Sequence, residues 1–455
     1  MLYGGAGTGK STIANSVAKA YDDIGRLGSS FRFLRGDATR HSHFLFPTIS
    51  RDLADRDAAF RQTLDDTVGA ELRLRQSHVV SEQFLNLILK PIEKLRLVGP
   101  LVFVIDALDE CDSENLRRVA EVFSKNASKL PTNIRILITC RPDKPLPHLL
   151  KDGAYVRAKS MEDDKDITRS TSDDIRTLVE YQLKECNEAT DGIVNRIVDA
   201  AGELFLFASI VCSTLLDANG IALGDLLDQL LTGSSRVKGL HGMYETILAR
   251  LFNVHNEIVV ENVRFVMGLI LTVKEPLSQS ALIKLCGHNA RMAANIPRVT
   301  NCLPMLLIGV TDSTTPIRPI HTSFRDFLES PRTPFQVDSA SSHRELLYGT
   351  LSLLRQQLKF NMCNIPTSHK LNKDIEGLTD SVNSYFDPPL LYACTSWEYH
   401  LGHSRAPDEK ITAAVDSFLR KSVLFWFEAL SLVGSVGLAA KMLSGVAIWA
   451  QVSHA

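Results

Sequence analysis

Apolar residues change their rhythm along this chain, and the change divides it. Near the N-terminus, Ile13, Val17, Ala18, Tyr21 and Ile24 recur at helical spacing, and Phe31-Arg32-Phe33-Leu34 then predicts a short strand before Gly36-Asp37. A helical stretch over 81–96 leads to Leu101-Val102-Phe103-Val104-Ile105, a continuous apolar run preceded by Gly99-Pro100. That run is short and rich in β-branched residues, the pattern of a strand buried on both faces. A helix over 113–129 and a second run, Ile134-Arg135-Ile136-Leu137-Ile138, ended by Arg141-Pro142, repeat the alternation. Strands alternating with helices predict a parallel sheet covered by helices.

The grammar changes after Met161. The polar stretches Glu162-Asp163-Asp164-Lys165-Asp166 and Ser170-Thr171-Ser172-Asp173-Asp174 predict a boundary loop, followed by helices over 174–185, 193–201, 203–216 and 223–231 without a strand among them. Gly233-Ser234-Ser235 separates a further unit with helices over 243–252, 257–271 and 278–286. Two extended pieces over 305–310 and 316–321 and a helix over 323–328 come next. Helices followed by a small hairpin form a winged-helix pattern. The remainder, from about 340, reads as helical with a polar loop near 367–374. The expected architecture is an α/β core, a parallel sheet with helices on both faces, over 1–161. A helical domain over 170–235, a winged-helix domain over 236–335 and an α-helical region over 336–455 follow it.

Composition changes this picture little, but it removes several functions. With 45% hydrophobic and 22% charged residues the chain of 455 is globular, and its length suits several domains. A formal net charge of −2 gives no footprint for nucleic acid. The eight cysteines show no close pair and no Cys/His cluster at zinc spacing, so they are read as reduced thiols. No basic, then apolar, leader precedes the first motif, and a cytoplasmic location is expected. The apolar segment 423–449 is interrupted by Glu428 and Lys441, which leaves it short of the about 20 residues needed to span a bilayer, so no membrane association is expected.

The candidate chemistry starts at the fourth residue. Gly4-Gly5-Ala6-Gly7-Thr8-Gly9-Lys10-Ser11 fits the P-loop pattern, in which backbone N–H groups wrap phosphates, the lysine meets the β and γ oxygens and the hydroxyl holds Mg²⁺. The bland alternative is a glycine-rich turn before a helix. Met1-Leu2-Tyr3 supplies only the end of the strand expected before the loop. The run ending at Ile105 delivers Asp106-Ala107-Leu108-Asp109-Glu110, as a Walker B element requires. Asp106 would orient Mg²⁺, and either Asp109 or Glu110 would polarise the attacking water. Arg141, at the end of the next strand, would sense a γ-phosphate through charge-assisted hydrogen bonds, unless it serves as a surface partner for an acid.

Gly4 to Ala14, Phe103 to Cys111 and Ile138-Thr139-Cys140-Arg141-Pro142 together resemble the NACHT family of STAND-class P-loop NTPases, in particular its fungal members. Ile320-His321-Thr322-Ser323-Phe324-Arg325-Asp326-Phe327-Leu328 is similar to the family's winged-helix motif, whose histidine contacts bound ADP. The resemblance implies nucleotide contacts from Gly4 through Thr12 and from His321, metal ligation by Ser11 and Asp106, and catalytic roles for Asp109, Glu110 and Arg141. It implies a switch that binds ATP or GTP with Mg²⁺, hydrolyses it slowly, rests closed with ADP and self-associates with ATP, in fungal non-self recognition or regulated cell death. Effector and sensor partners are not identified. Many relatives in animals carry an adenine-contacting proline where this chain has Gly202-Glu203-Leu204-Phe205-Leu206-Phe207, so base contacts do not transfer. Two other classes stay open. One is a non-hydrolysing interaction scaffold. The other is a winged-helix DNA-binding regulator, which the single basic residue in 278–286, Lys284, disfavours.

Overall fold

The computed structural model describes residues 1–35, 40–75, 77–94, 99–111, 113–142, 155–162, 165–186, 188–217, 221–233, 239–367, 369–404 and 409–453. The chain divides into two compact units, Met1–Met243 and Tyr244–Ala455. The turn expected at Gly36-Asp37 and the separator Ser234-Ser235 lie outside the described residues.

The first unit is built on five parallel strands. These are β1 (Leu2–Tyr3), β2 (Leu27–Arg32), β3 (Leu101–Asp106), β4 (Ile134–Cys140) and β5 (Lys159–Ser160), in the order β2-β3-β4-β1-β5. All six residues of β3 are buried, as its unbroken apolar run requires. Successive side chains point to opposite faces. Phe103 and Ile105 join Phe31, Phe46, Phe84 and Phe123 on one face, while Val102 and Val104 meet Ala14 and Ala18 of the helix α1 (Lys10–Asp23) on the other. Burying a side chain of this size contributes about 1.5–3 kcal/mol, so these two layers fix the central strands and with them the edge from which the loops emerge. The first unit is thus an open parallel α/β sheet with helices on both faces, as expected.

One expectation gains detail and one needs correction. The stretch 81–96 is helical, as expected, but not uniform. It is α-helical over Val80–Gln83, π-helical over Phe84–Leu89 and α-helical over Lys90–Ile92, ending beside Pro91, whose ring and missing N–H disfavour a regular helical ladder; its last expected residues, 95–96, lie outside the described ones. The polar stretch 170–174 is not a loop, because a helix runs over Lys165–Leu183. Ser170, Ser172, Asp173 and Asp174 face outward, while Thr171, Ile175, Val179 and Leu183 are buried at every fourth position. Helices Asp191–Ala201, Phe205–Leu216 and Leu223–Gly233 complete the unit and match the expected ones within a few residues.

The second unit is almost wholly helical. Helices Glu257–Thr272, Gln279–Leu285 and Asn295–Thr300 precede an antiparallel pair, β6 (Leu307–Ile308) and β7 (Arg318–Pro319), and the helix Thr322–Glu329 follows. The apolar segment 423–449 is two helices, Val423–Leu432 and Gly437–Ser453, separated at Gly434, whose φ of 69° suits a residue without a Cβ. Among the described residues no helix is long and apolar enough to cross a membrane.

A buried polar chain crosses this unit. The Lys274 backbone N–H donates to the Tyr392 hydroxyl at 2.9 Å, Tyr392 lies 2.7 Å from His400 Nε2, and His400 Nδ1 lies 2.9 Å from His343 Nδ1. The Tyr392 hydroxyl accepts the Lys274 N–H, and which of Tyr392, His400 and His343 donates in the two remaining bonds is set by the histidine tautomers. Both imidazoles are neutral. Burial, then the His403 charge, lowers His343 to about 4, and burial with the His343, His403 and Lys274 charges also lowers His400 well below the ordinary value. The unfolded chain therefore takes up protons first. Stability is full above the ordinary histidine value of 6.5 and falls as the pH drops from there toward about 4. We expect the thermal midpoint seen by scanning calorimetry to fall across this window, and His343→Leu to flatten the fall.

Candidate functional site

Parallel strands end on one edge, and in this sheet four of the five C-terminal ends deliver a residue of the site. Tyr3 runs into the glycine loop, Ile105 into Asp106, Cys140 into Arg141 and Ser160 into Glu162. Ligands of open α/β sheets bind at this edge. The loop itself needs glycine at two places. Gly7 and Gly9 have φ of 84° and 90°, and a Cβ on Gly7 would lie 2.9 Å from Leu206 Cβ. Gly9 is the N-cap of α1 and carries no side-chain cap, so the first N–H groups of that helix are left for an anion. Gly7→Ala is expected to destabilise the first unit by about 1–2 kcal/mol through the left-handed backbone alone, more with the Leu206 contact, read as a lowered urea midpoint.

Beneath the loop, Asp106 gathers hydroxyls. Its Oδ1 accepts from Ser11 Oγ at 3.1 Å and from Thr139 Oγ1 at 2.5 Å, and its Oδ2 lies 3.5 Å from Arg32 Nε. Thr139 Oγ1 also accepts the Ala107 N–H at 2.9 Å, where Ala107 takes a left-handed φ of 55° that turns the chain after β3. The expected metal pair, Ser11 and Asp106, is thus in direct contact. Its donors are hard oxygens, and a P-loop site that holds Mg²⁺ with one hydroxyl, a carboxylate, waters and phosphates needs nothing more from the protein. Among the described residues no group of three or more His, Cys, Asp or Glu could hold a metal. A groove of about 670 Å³ opens beside α1, lined by Ser11, Thr12, Asn15, Lys19, Arg32 and Asp106 among others.

The two remaining acids differ sharply. Asp109 is 5% exposed and accepts the Arg141 N–H at 3.1 Å, with Arg141 Nε 3.3 Å from its other oxygen. Burial raises its pKa, and Arg141 and Lys10 pull it back. Glu110 is held by a backbone N–H. Its Oε2 accepts the Arg35 N–H at 3.0 Å, and burial, with Asp109 adding to it and Arg35 opposing, raises it to about 7. Arg141 is therefore an ion-pair partner of Asp109 here, and Glu110 is the acid poised to exchange a proton near neutrality.

Lys10 turns back on its own loop. Its ammonium donates to the carbonyls of Gly4 at 2.7 Å and Gly5 at 2.5 Å and approaches Thr8 Oγ1 at 3.4 Å. Burial lowers its pKa, chiefly opposed by Asp109. His321 belongs to the second unit, where its Nδ1 accepts the Ser323 N–H at 3.1 Å and caps the helix Thr322–Glu329. Ser323 Oγ lies 2.8 Å from that nitrogen and 2.8 Å from the Tyr244 hydroxyl. Sequence reasoning missed Arg32, Arg35, Thr139 as a ligand of Asp106, and Glu162. Only Thr139 had a signal, since a hydroxyl ends the strand next to the acidic one.

A family profile described as nephrocystin 3, N-terminal, matches residues 1–141, the segment that holds the loop, Asp106, Asp109, Glu110 and Arg141. No curated protein matches the chain. Among solved structures, one titled crystal structure of Cdc6p from Pyrobaculum aerophilum is similar over 76% of this chain and 86% of that chain, at 13% identity and a TM-score of 0.31. A likeness that distant carries no argument about function.

Proposed function

We propose that the chain is a nucleotide-dependent switch of the NACHT type, which binds ATP or GTP at Gly4 to Thr12 with Mg²⁺ and hydrolyses it slowly. The observation that carries this reading is the contact of Ser11 with Asp106 beneath a glycine loop whose helix N-terminus is open to an anion. Mg²⁺, when bound by Ser11 and Asp106, would neutralise charge on the phosphates. Lys10 would leave its own carbonyls for the β and γ oxygens. Glu110, with a pKa near neutrality, would take the proton from the attacking water, and Arg141 would shift between Asp109 and a terminal phosphate, reporting hydrolysis.

In this reading a core over 1–161, a helical domain over 170–235 and a winged-helix domain over 236–335 close with ADP and self-associate with ATP. A role of His321 in holding ADP belongs to the same proposal. One charge-assisted hydrogen bond is worth about 1.5–3 kcal/mol, whereas turning a 1:99 population into 99:1 takes about 5.5 kcal/mol. His321 would then be one part of the lock. Nucleotide titration, phosphate release and light scattering on the same sample test the switch. Binding, slow turnover and ATP-dependent assembly are expected, and identical mass with ATP and ADP would remove the switch. A second reading, a non-hydrolysing scaffold, is favoured by the bonds of Lys10 to its own loop; binding without phosphate release would select it.

A further inference from the structure

The phosphate loop is occupied by a carboxylate of the chain itself. The strand β5 pairs in parallel with β1, Tyr3 opposite Ser160, and the pairing continues past the strand as the Met161 N–H donates to the Tyr3 carbonyl at 2.8 Å. This register sets Met161, 5% exposed, over Gly4, where an added Cβ would lie 2.8 Å from Met161 Cβ. The next residue, Glu162, then falls over Gly5. Its own N–H donates to Ser160 Oγ at 3.2 Å, and its Oε1 accepts the Gly5 N–H at 2.5 Å. Gly5 admits this because it lacks a side chain: a Cβ there would lie 2.7 Å from that oxygen. The Glu162 charge also acts on Lys10.

A backbone N–H beside an ammonium is what a phosphate oxygen seeks. Here an anion fixed by sheet register already holds it. Lys10, whose ammonium lies on the Gly5 carbonyl and feels the Glu162 charge, is the residue that reaches the β and γ oxygens in a P-loop, so a carboxylate held here stands against the outer phosphates. We propose that Glu162 is a tethered phosphate surrogate that the terminal phosphate of an incoming nucleotide must displace, and that it makes the site discriminate against the more highly charged ligand. The inference rests on the nucleotide-binding reading. It adds a residue that sets triphosphate against diphosphate preference through charge at the loop.

The test is calorimetric titration of the full chain with MgATP and MgADP, comparing wild type, Glu162→Gln and Glu162→Ala. The glutamine keeps an acceptor for Gly5 and removes the charge; the alanine removes both. Both variants are expected to bind MgATP about three- to tenfold more tightly than wild type, with a smaller gain for MgADP, because the lost repulsion scales with ligand charge. Added salt should shrink the difference. Unchanged or weaker ATP binding in both variants, with wild type still binding, overturns the inference and leaves nucleotide binding intact. Equal gains for ATP and ADP overturn the discrimination. If no form binds either nucleotide, the functional reading fails and the inference fails with it. Binding by the variants but not by wild type supports it in its strongest form. Glu162 is exposed, so thermal midpoints near that of wild type are expected and exclude a folding effect.

Discussion

Lys10→Ala is expected to weaken MgATP binding by at least about a hundredfold. Hydrogen bonds to charged groups contribute about 1.5–3 kcal/mol each, and each 1.36 kcal/mol is a factor of ten. An ammonium meeting both β and γ oxygens makes two such bonds, and burial lowers its pKa, so its surroundings offer little water to replace it. In the structure the same group binds the Gly4 and Gly5 carbonyls, which sit at a partly open loop and can turn to water after its removal. The folded state should therefore survive with a thermal midpoint close to that of wild type. Fluorescent nucleotide titration beside scanning calorimetry separates the two effects. Loss of binding with an intact transition is expected; undiminished binding would remove the lysine from the site.

Glu110→Gln is expected to lower phosphate release by about 10²- to 10⁴-fold, the usual contribution of a positioned general base, while leaving MgATP affinity within a few-fold. The expectation follows from the contrast between neighbouring acids. Asp109 is held by the N–H and the guanidinium of Arg141, whereas Glu110 accepts the N–H of Arg35 and is raised to about 7. A base must be ionised to accept a proton. The rate should rise with pH through about 7 and level off above it, and the glutamine variant should lose that dependence. A flat profile in wild type, or an unchanged rate in the variant, would take the base away from Glu110. Asp109→Asn should act differently, by releasing Arg141 from its ion pair.

The central strands and the loop were legible in the sequence because their signals are local. Phe103, Val104 and Ile105 form a β-branched and aromatic run too short for a helix, and it lies buried as β3. The spacing of Gly4, Gly9, Lys10 and Ser11 fixes a loop by dihedral need and polar chemistry, and Asp106 followed from the strand before it. What stayed hidden depends on register between distant segments. Lys159-Ser160 has no strand pattern, yet parallel pairing with β1 makes it the edge strand that carries Glu162 to Gly5. Arg32 looked like one polar position in a strand, and only its pairing opposite Asp106 brings it to that carboxylate. The helix Lys165–Leu183 was hidden because its exposed face is dense in serine and aspartate, which favour loops in isolation, while the buried positions are four residues apart. His321 matched a ligand motif, and its ring nitrogen is engaged in capping a helix, a local use that the motif does not announce.

The central claim is that Gly4 to Thr12 forms a nucleotide site, and native mass spectrometry of the full chain mixed with ADP and Mg²⁺ tests it most directly. The account predicts one nucleotide per chain, retained by wild type and absent from Lys10→Ala. A wild-type spectrum showing only the bare chain at millimolar ADP and millimolar ATP, or equal occupancy in Lys10→Ala, would contradict it.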